Sequence, residues 1–111
     1  MAQLIWTEPA LSDLDAIADY IALDKPQAAR EYVQLVFQRI EQLVSQPESG
    51  STPKELRGSR YRQIVVQPCR IFYRFDGRRI YILHVMRGEM LFKKSRLAKR
   101  DKEIRPTRRS R

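Results

Sequence analysis

Between Tyr61 and Arg87 the chain reads YRQIVVQPCRIFYRFDGRRIYILHVMR, with Arg70, Phe72 and Arg74 on alternate residues and Arg79 and Tyr81 following in the same rhythm. Side chains two apart on a strand share a face. The spacing therefore gathers Tyr61, Gln63, Arg70, Phe72, Arg74, Arg79, Tyr81 and Arg87 on one side of a sheet, basic with interleaved aromatics and at least partly open. Such a side suits an anionic or phosphate-bearing target, the cations neutralising charge and the rings stacking on bases or receiving a partner's side chain. Cleaving RNA through its 2′-OH asks for more: a base for that proton, an acid for the leaving oxygen and cations over the phosphate. Arginine fills only the last role, because guanidinium stays charged at any relevant pH. Arg70 and Arg87 can equally pair with Glu55, Glu89 or the helices. His84 is the single histidine. Alternation sets it with Ile80 and Ile82 on the other, apolar face, which predicts a satisfied core histidine rather than an acid or base. Cys69, the single cysteine, reads as a small buried hydrophobe on that same face. The Phe72 and Tyr81 pair also has a purely structural use, since aromatic cross-strand pairs stabilise hairpins.

Three strands must carry this face: Arg60 to Val66, Cys69 to Phe75 and Arg78 to Met86, linked by Gln67-Pro68 and Asp76-Gly77. Asp-Gly between two alternating runs predicts a two-residue hairpin loop, which puts Arg74 opposite Arg79, Phe72 opposite Tyr81 and Arg70 opposite Leu83. The apolar face, with Ile64, Val66, Ile71, Tyr73, Ile80 and Ile82, needs a cover. Two amphipathic helices supply it. After a short strand at Gln3 to Trp6, with Thr7 able to cap and Pro9 suited to a first turn, Leu11, Leu14, Ile17, Ala18 and Ile21 mark a helix over residues 9–23. Asp24-Lys25-Pro26 breaks it, and a second helix runs from about Pro26 to Ser45, forming a hairpin. The loop QPESGSTPK joins the helical half to the sheet half without separating domains, because neither half covers its own apolar face.

The 111 residues leave room for one domain, set at residues 1–100 with a basic tail at 101–111. Charge is unevenly laid out. Residues 1–50 hold three basic and eight acidic side chains, residues 51–91 nine and three, and residues 92–111 ten and two, giving a net +9. This polar distribution steers one end toward an anion. Lys93, Lys94, Arg96, Lys99 and Arg100 fall in one further helix anchored by Leu91 and Leu97, suited to a nucleic acid, to an acidic partner segment or simply to solvation. A lone cysteine, no Cys/His cluster, no secretory pattern and no apolar run of membrane length predict a cytoplasmic protein without metal or cofactor.

Strand, helix hairpin and three antiparallel strands, in that order, with YRQIVVQPCRIFYRFDGRRIYILHV closing the run, resemble the RelE/ParE toxins of bacterial type II toxin–antitoxin modules, the plasmid-stabilisation type. RIFYR, a short turn and RIYILHV carry most of the likeness, and IWTEPALSDLDAIADYIA matches the family's first strand and helix. It spans roughly residues 3 to 92. The resemblance implies an α+β fold, a helical hairpin on a four-stranded, mainly antiparallel sheet, and a toxin neutralised by a cognate antitoxin with an acidic or amphipathic C-terminal segment. It leaves two activities open. RelE-like members cut mRNA in the ribosomal A site; ParE-like members bind DNA gyrase and block replication without being nucleases.

For the first activity the resemblance points to Arg70, on the strand where RelE-like members place a functional arginine, and to Arg87, near a second basic position. Tyr61 and Gln63 stand where those enzymes carry lysines. A neutral amide cannot replace a lysine, and an unperturbed tyrosine titrates near 10. With Arg62 turned to the other face and Lys54 in a loop, the set Arg70, Arg87 and Tyr61 is incomplete for a ribonuclease. The gap favours ParE-like growth inhibition through gyrase, with Arg74, Phe72, Tyr81, Arg79, Lys93, Lys94 and Arg96 as the target- or antitoxin-binding residues. A non-toxic basic module that binds nucleic acid is the reading from another class.

Overall fold

The computed structural model describes residues 1–88, 90 and 92–104. The element order is β1 (Gln3–Trp6), α1 (Glu8–Ala22), α2 (Pro26–Glu41), β2 (Tyr61–Val66), β3 (Cys69–Phe75), β4 (Arg79–Arg87) and α3 (Lys94–Lys102), with single 3-10 turns at Gln42–Val44 and Lys54–Leu56. Among the described residues the α+β architecture is the one expected: a helical hairpin on one mixed sheet of order β1-β4-β3-β2. Strand β1 runs parallel to β4 and the other pairs are antiparallel.

The hairpin buries its stripe on the sheet as the spacing requires. Ala10, Leu14 and Ile17 of α1 and Val36 and Ile40 of α2 meet Leu4, Trp6, Ile71, Tyr73, Ile80 and Ile82 in the main core. Phe37 meets the Trp6 indole edge-on at 5.0 Å. Thr7 occupies the N-cap position of α1 with extended backbone but makes no side-chain cap. Its hydroxyl instead donates to the Ile82 carbonyl at 2.6 Å, tying the start of the helix to β4. Tyr73 reaches through the core to donate to the Pro47 carbonyl and accept from the Gly50 N–H, which pins the long loop against the sheet.

Register departs from expectation in two ways. The two central loop residues are Gly77 and Arg78 rather than Asp76 and Gly77, because Asp76 spends its carboxylate on the N–H groups of Arg78 and Arg79, and Gly77 takes a φ of +96°. Glycine at the first central position with positive φ is the mark of a type II′ hairpin. Arg74 consequently lies opposite Tyr81, not Arg79. Further along, a bulge leaves Leu83 without a partner between the pairs Tyr73–Ile82 and Phe72–His84. One extra residue on one strand exchanges its faces. Past the bulge, Arg70 lies opposite Met86 and Cys69 opposite Arg87.

The exchange corrects two placements. His84 does not sit with Ile80 and Ile82 beneath the hairpin; it lies on the second face, stacked on Phe72 with ring centroids 5.9 Å apart. Val85 takes its place in the main core. Arg87 turns to the helix side, its guanidinium 4.6 Å from the ring centroid of Tyr20 on α1. The second face is not open either. Leu56, Tyr61, Phe72, Leu83, Met86 and Leu97 form a smaller core there, with Phe92 and Ile104 packed at its margin. Helix α3 closes it, contributing a fully buried Leu97. Glu89, Leu91 and the basic tail from Arg105 to Arg111 lie outside the described residues. The boundary placed at residue 100 falls inside α3, where Asp101 is buried.

Candidate functional site

Arg70 and Arg74 lie on the second face as the alternation dictates, and each is met by an acid. Two parallel hydrogen bonds join Arg70 to Glu55, Nη1 to Oε2 at 3.0 Å and Nη2 to Oε1 at 2.9 Å, and Arg70 Nε donates to Gln63 Oε1. Glu55 comes from the 3-10 turn that also drops Leu56 into the small core. Arg70 itself lies 4.9 Å from the centroid of Phe72 and 5.7 Å from that of Phe92. Its hydrogen bonds hold the Glu55 carboxyl below the usual range. Pairing with Glu55 is one of the alternatives the sequence left open for Arg70.

Asp101 of α3 is the second acid. Its side chain is only 4% exposed. It accepts from Arg60 Nη2 at 2.9 Å, from the Tyr61 hydroxyl at 2.9 Å and from Arg74 Nε at 3.0 Å. Arg74 also lies 4.7 Å from the ring centroid of Tyr81. Burial, and then the hydrogen bond to Asp101, push the Tyr61 phenol above its ordinary value. A phenol raised from 10 and already donating to a carboxylate is a poor proton shuttle at neutral pH.

At the far edge of the sheet a third acid gathers a third set of donors. Strand β1 ends opposite Ile82, so the N–H of Val85 has no strand neighbour there, and Asp13 of α1 accepts it at 3.0 Å. The same carboxylate receives Arg100 from α3 through both Nη atoms and lies 2.8 Å from His84 Nδ1. Arg100 Nη1 stands 2.7 Å from that same Nδ1. One ring nitrogen cannot donate to Asp13 and accept from Arg100 together, and the carboxylate is the natural acceptor, which assigns the proton to Nδ1. Burial raises the Asp13 carboxyl, but the hydrogen bonds from His84, Arg100 and Val85 outweigh it and hold it below the usual range. His84 is thus satisfied, though on the face opposite the one its spacing indicated.

The candidate ribonuclease residues do not converge. Arg70 and Tyr61 share the second face, each occupied by an acid, while Arg87 lies behind the sheet. There it borders a cleft of about 200 Å³ between α1 and β4, together with Ile17, His84, Met90 and Arg96. Of the proposed binding residues, Arg74, Phe72 and Tyr81 are drawn together beneath α3. Arg79 stands apart at the hairpin, exposed and bonded to Gln3 Oε1. Lys93, Lys94 and Arg96 are exposed at the start of α3, and Lys99 and Lys102 extend the basic surface along its outer side. Among the described residues no group of three or more His, Cys, Asp or Glu could hold a metal ion, and no helix is long and apolar enough to cross a membrane.

Sequence reasoning passed over Asp13, Arg60 and Asp101. Asp101 carries a local signal, since a lone acid four residues after Leu97 lies on the inward side of its helix. Asp13 carries none, its partners lying more than seventy residues away.

Comparison with known proteins agrees with this fold. Residues 4–92 match the family model described as ParE toxin of type II toxin-antitoxin system, parDE. Toxin RelE2 of Caulobacter vibrioides is 35% identical over 89 residues, covering 78% of this chain and 92% of that protein. A solved structure titled chromosomal ParDE TA system from P. aeruginosa is similar at a TM-score of 0.68 and 32% identity, over 80% of this chain and 98% of that one. A family match across four-fifths of the chain, a curated relative above 30% identity and a shared fold identify the protein: it belongs to the RelE/ParE family, as the toxin of a type II toxin–antitoxin system with an antitoxin for its partner.

Proposed function

We propose that this toxin acts in the ParE manner, inhibiting DNA gyrase by protein contact in the cytoplasm and arresting growth unless its antitoxin is bound, without cutting RNA. One observation carries the reading: Arg70, Tyr61 and Arg87, the residues a ribonuclease would need, sit in three different settings. Arg70 is clamped by Glu55, Tyr61 donates to Asp101, and Arg87 lies over Tyr20 on the helix side. Positioning an acid, a base and a phosphate-binding cation around one scissile bond requires them within hydrogen-bond reach of a common point. The outer side of α3 and the exposed Arg79 supply basic surface for the target, and the net charge of +9 favours association with an anionic partner.

The ribosome-dependent endoribonuclease is the second reading, supported by the similarity to a protein named Toxin RelE2. Primer extension on ribosome-bound message separates the two. Purified protein is expected to leave the message intact; cuts in the A-site codon that vanish with Arg70→Ala would overturn the proposal.

A further inference from the structure

Helix α3 lies beyond the family-model match, which ends at residue 92. At nine residues it is shorter than the 12 to 15 or so that an isolated helix needs to hold in water, so its order comes from docking. Docking rests on Leu97, flanked by Phe92 and Ile104, and on two ionic anchors, Arg100 on Asp13 and Asp101 on Arg60, Tyr61 and Arg74. The second anchor has the form of an anion receptor. Three donors from β2, its approach and β3 converge on one carboxylate, two of them on strands of the sheet. Only the acid comes from the added helix.

We propose that α3 is a built-in strap masking an oxyanion-binding site on the sheet, with Asp101 holding the place on Arg60, Tyr61 and Arg74 that an anionic group of a ligand takes when the helix lifts. The ligand chemistry is that of a tetrahedral or planar oxyanion, a phosphate or a carboxylate. Opening is local: it breaks two ion-paired anchors and lifts Leu97 from the smaller core while β3, β4 and the hairpin remain packed, a sub-global opening that precedes global unfolding. An anion that binds only the open form raises its population by a factor of one plus its concentration over its Kd. This holds whether gyrase or the ribosome is the target.

Hydrogen exchange of the full-length protein tests it, with inorganic phosphate as the probe and sodium acetate as the carboxylate arm, each against sodium chloride at matched ionic strength. Exchange of residues 94–102 is expected to rise in proportion to phosphate and to exceed the chloride control by about threefold or more at 100 mM, while β3 stays protected. Phosphate otherwise tightens burial by exclusion from the surface, so a general salt effect has the opposite sign. Acceleration by acetate as well widens the ligand class to carboxylates; by phosphate alone, it narrows it to phosphates. Arg60→Gln, at a side chain 66% exposed and therefore tolerant, is expected to reduce the phosphate-specific acceleration at least about twofold. Equal exchange in phosphate and chloride, or α3 exchanging only together with β3, would overturn the proposal.

Discussion

Replacing Asp101 with alanine removes the acceptor shared by Arg60, Tyr61 and Arg74. The cost follows from what is left behind. Arg74, 13% exposed at its side chain, and the Tyr61 hydroxyl would both face a vacated carboxylate site beneath α3. Breaking a buried ion pair by removing one partner costs about 3–5 kcal/mol. Arg60 reaches solvent and relaxes cheaply, and water can enter once the helix loosens, so about 2–4 kcal/mol is expected for the whole substitution. For a domain of this size each kcal/mol lowers Tm by roughly 4–8 °C, so the melting point should fall by about 8–32 °C. Urea unfolding followed by tyrosine fluorescence and by far-UV circular dichroism gives the free energy directly, and a cycle with Arg74→Gln separates the pair from its surroundings. A coupling energy near zero, or a loss below about 0.5 kcal/mol, would refute the buried network and with it the closure of the second face.

Other consequences are equally open to measurement. Because the Asp13 carboxyl is held below its unfolded value of 3.8, its contribution is complete above that pH and disappears as pH falls through the lower folded value. Unfolding at pH 2–5 should show this acid slope in the native chain and a flatter one in Asp13→Asn. Gly50→Ala should destabilise by about 1–3 kcal/mol in thermal melts, since an added Cβ would stand 2.6 Å from the Tyr73 ring and hydroxyl and 2.7 Å from the Gln63 carbonyl. Leu97→Ala should cost about 2–4 kcal/mol and raise exchange across α3 before it affects the hairpin.

Much of the scaffold was legible because it rests on local rules. The apolar stripe of α1, the Pro26 start of α2 and the alternation in β2 and β3 each follow from residues near in sequence, and the structure places them where spacing indicates. Beyond Ile82 the local rules fail. A single bulged residue, Leu83, exchanges the faces of His84, Val85, Met86 and Arg87, and nothing in RIYILHV marks it. The choice of Gly77–Arg78 as the turn rests on a side-chain competition, Asp76 capturing two backbone N–H groups, that the Asp-Gly signal alone does not decide. An expected open face became a second core because α3 could bring Asp101 and Leu97 onto it, a long-range event that charge counting along KKSRLAKRDK obscures. The arginine face keeps Arg70 and Arg74 but loses Arg87, and α3 covers much of what alternation left partly open, since alternation fixes a direction but not a partner.

The claim with most at stake is that this toxin stops growth by binding gyrase rather than by cutting message. Supercoiling of relaxed plasmid by purified gyrase, titrated with the toxin alone and with the toxin premixed with its antitoxin, addresses it directly. Inhibition by the free toxin that the antitoxin reverses is the predicted result. Full supercoiling at toxin concentrations that arrest a translation extract would contradict it.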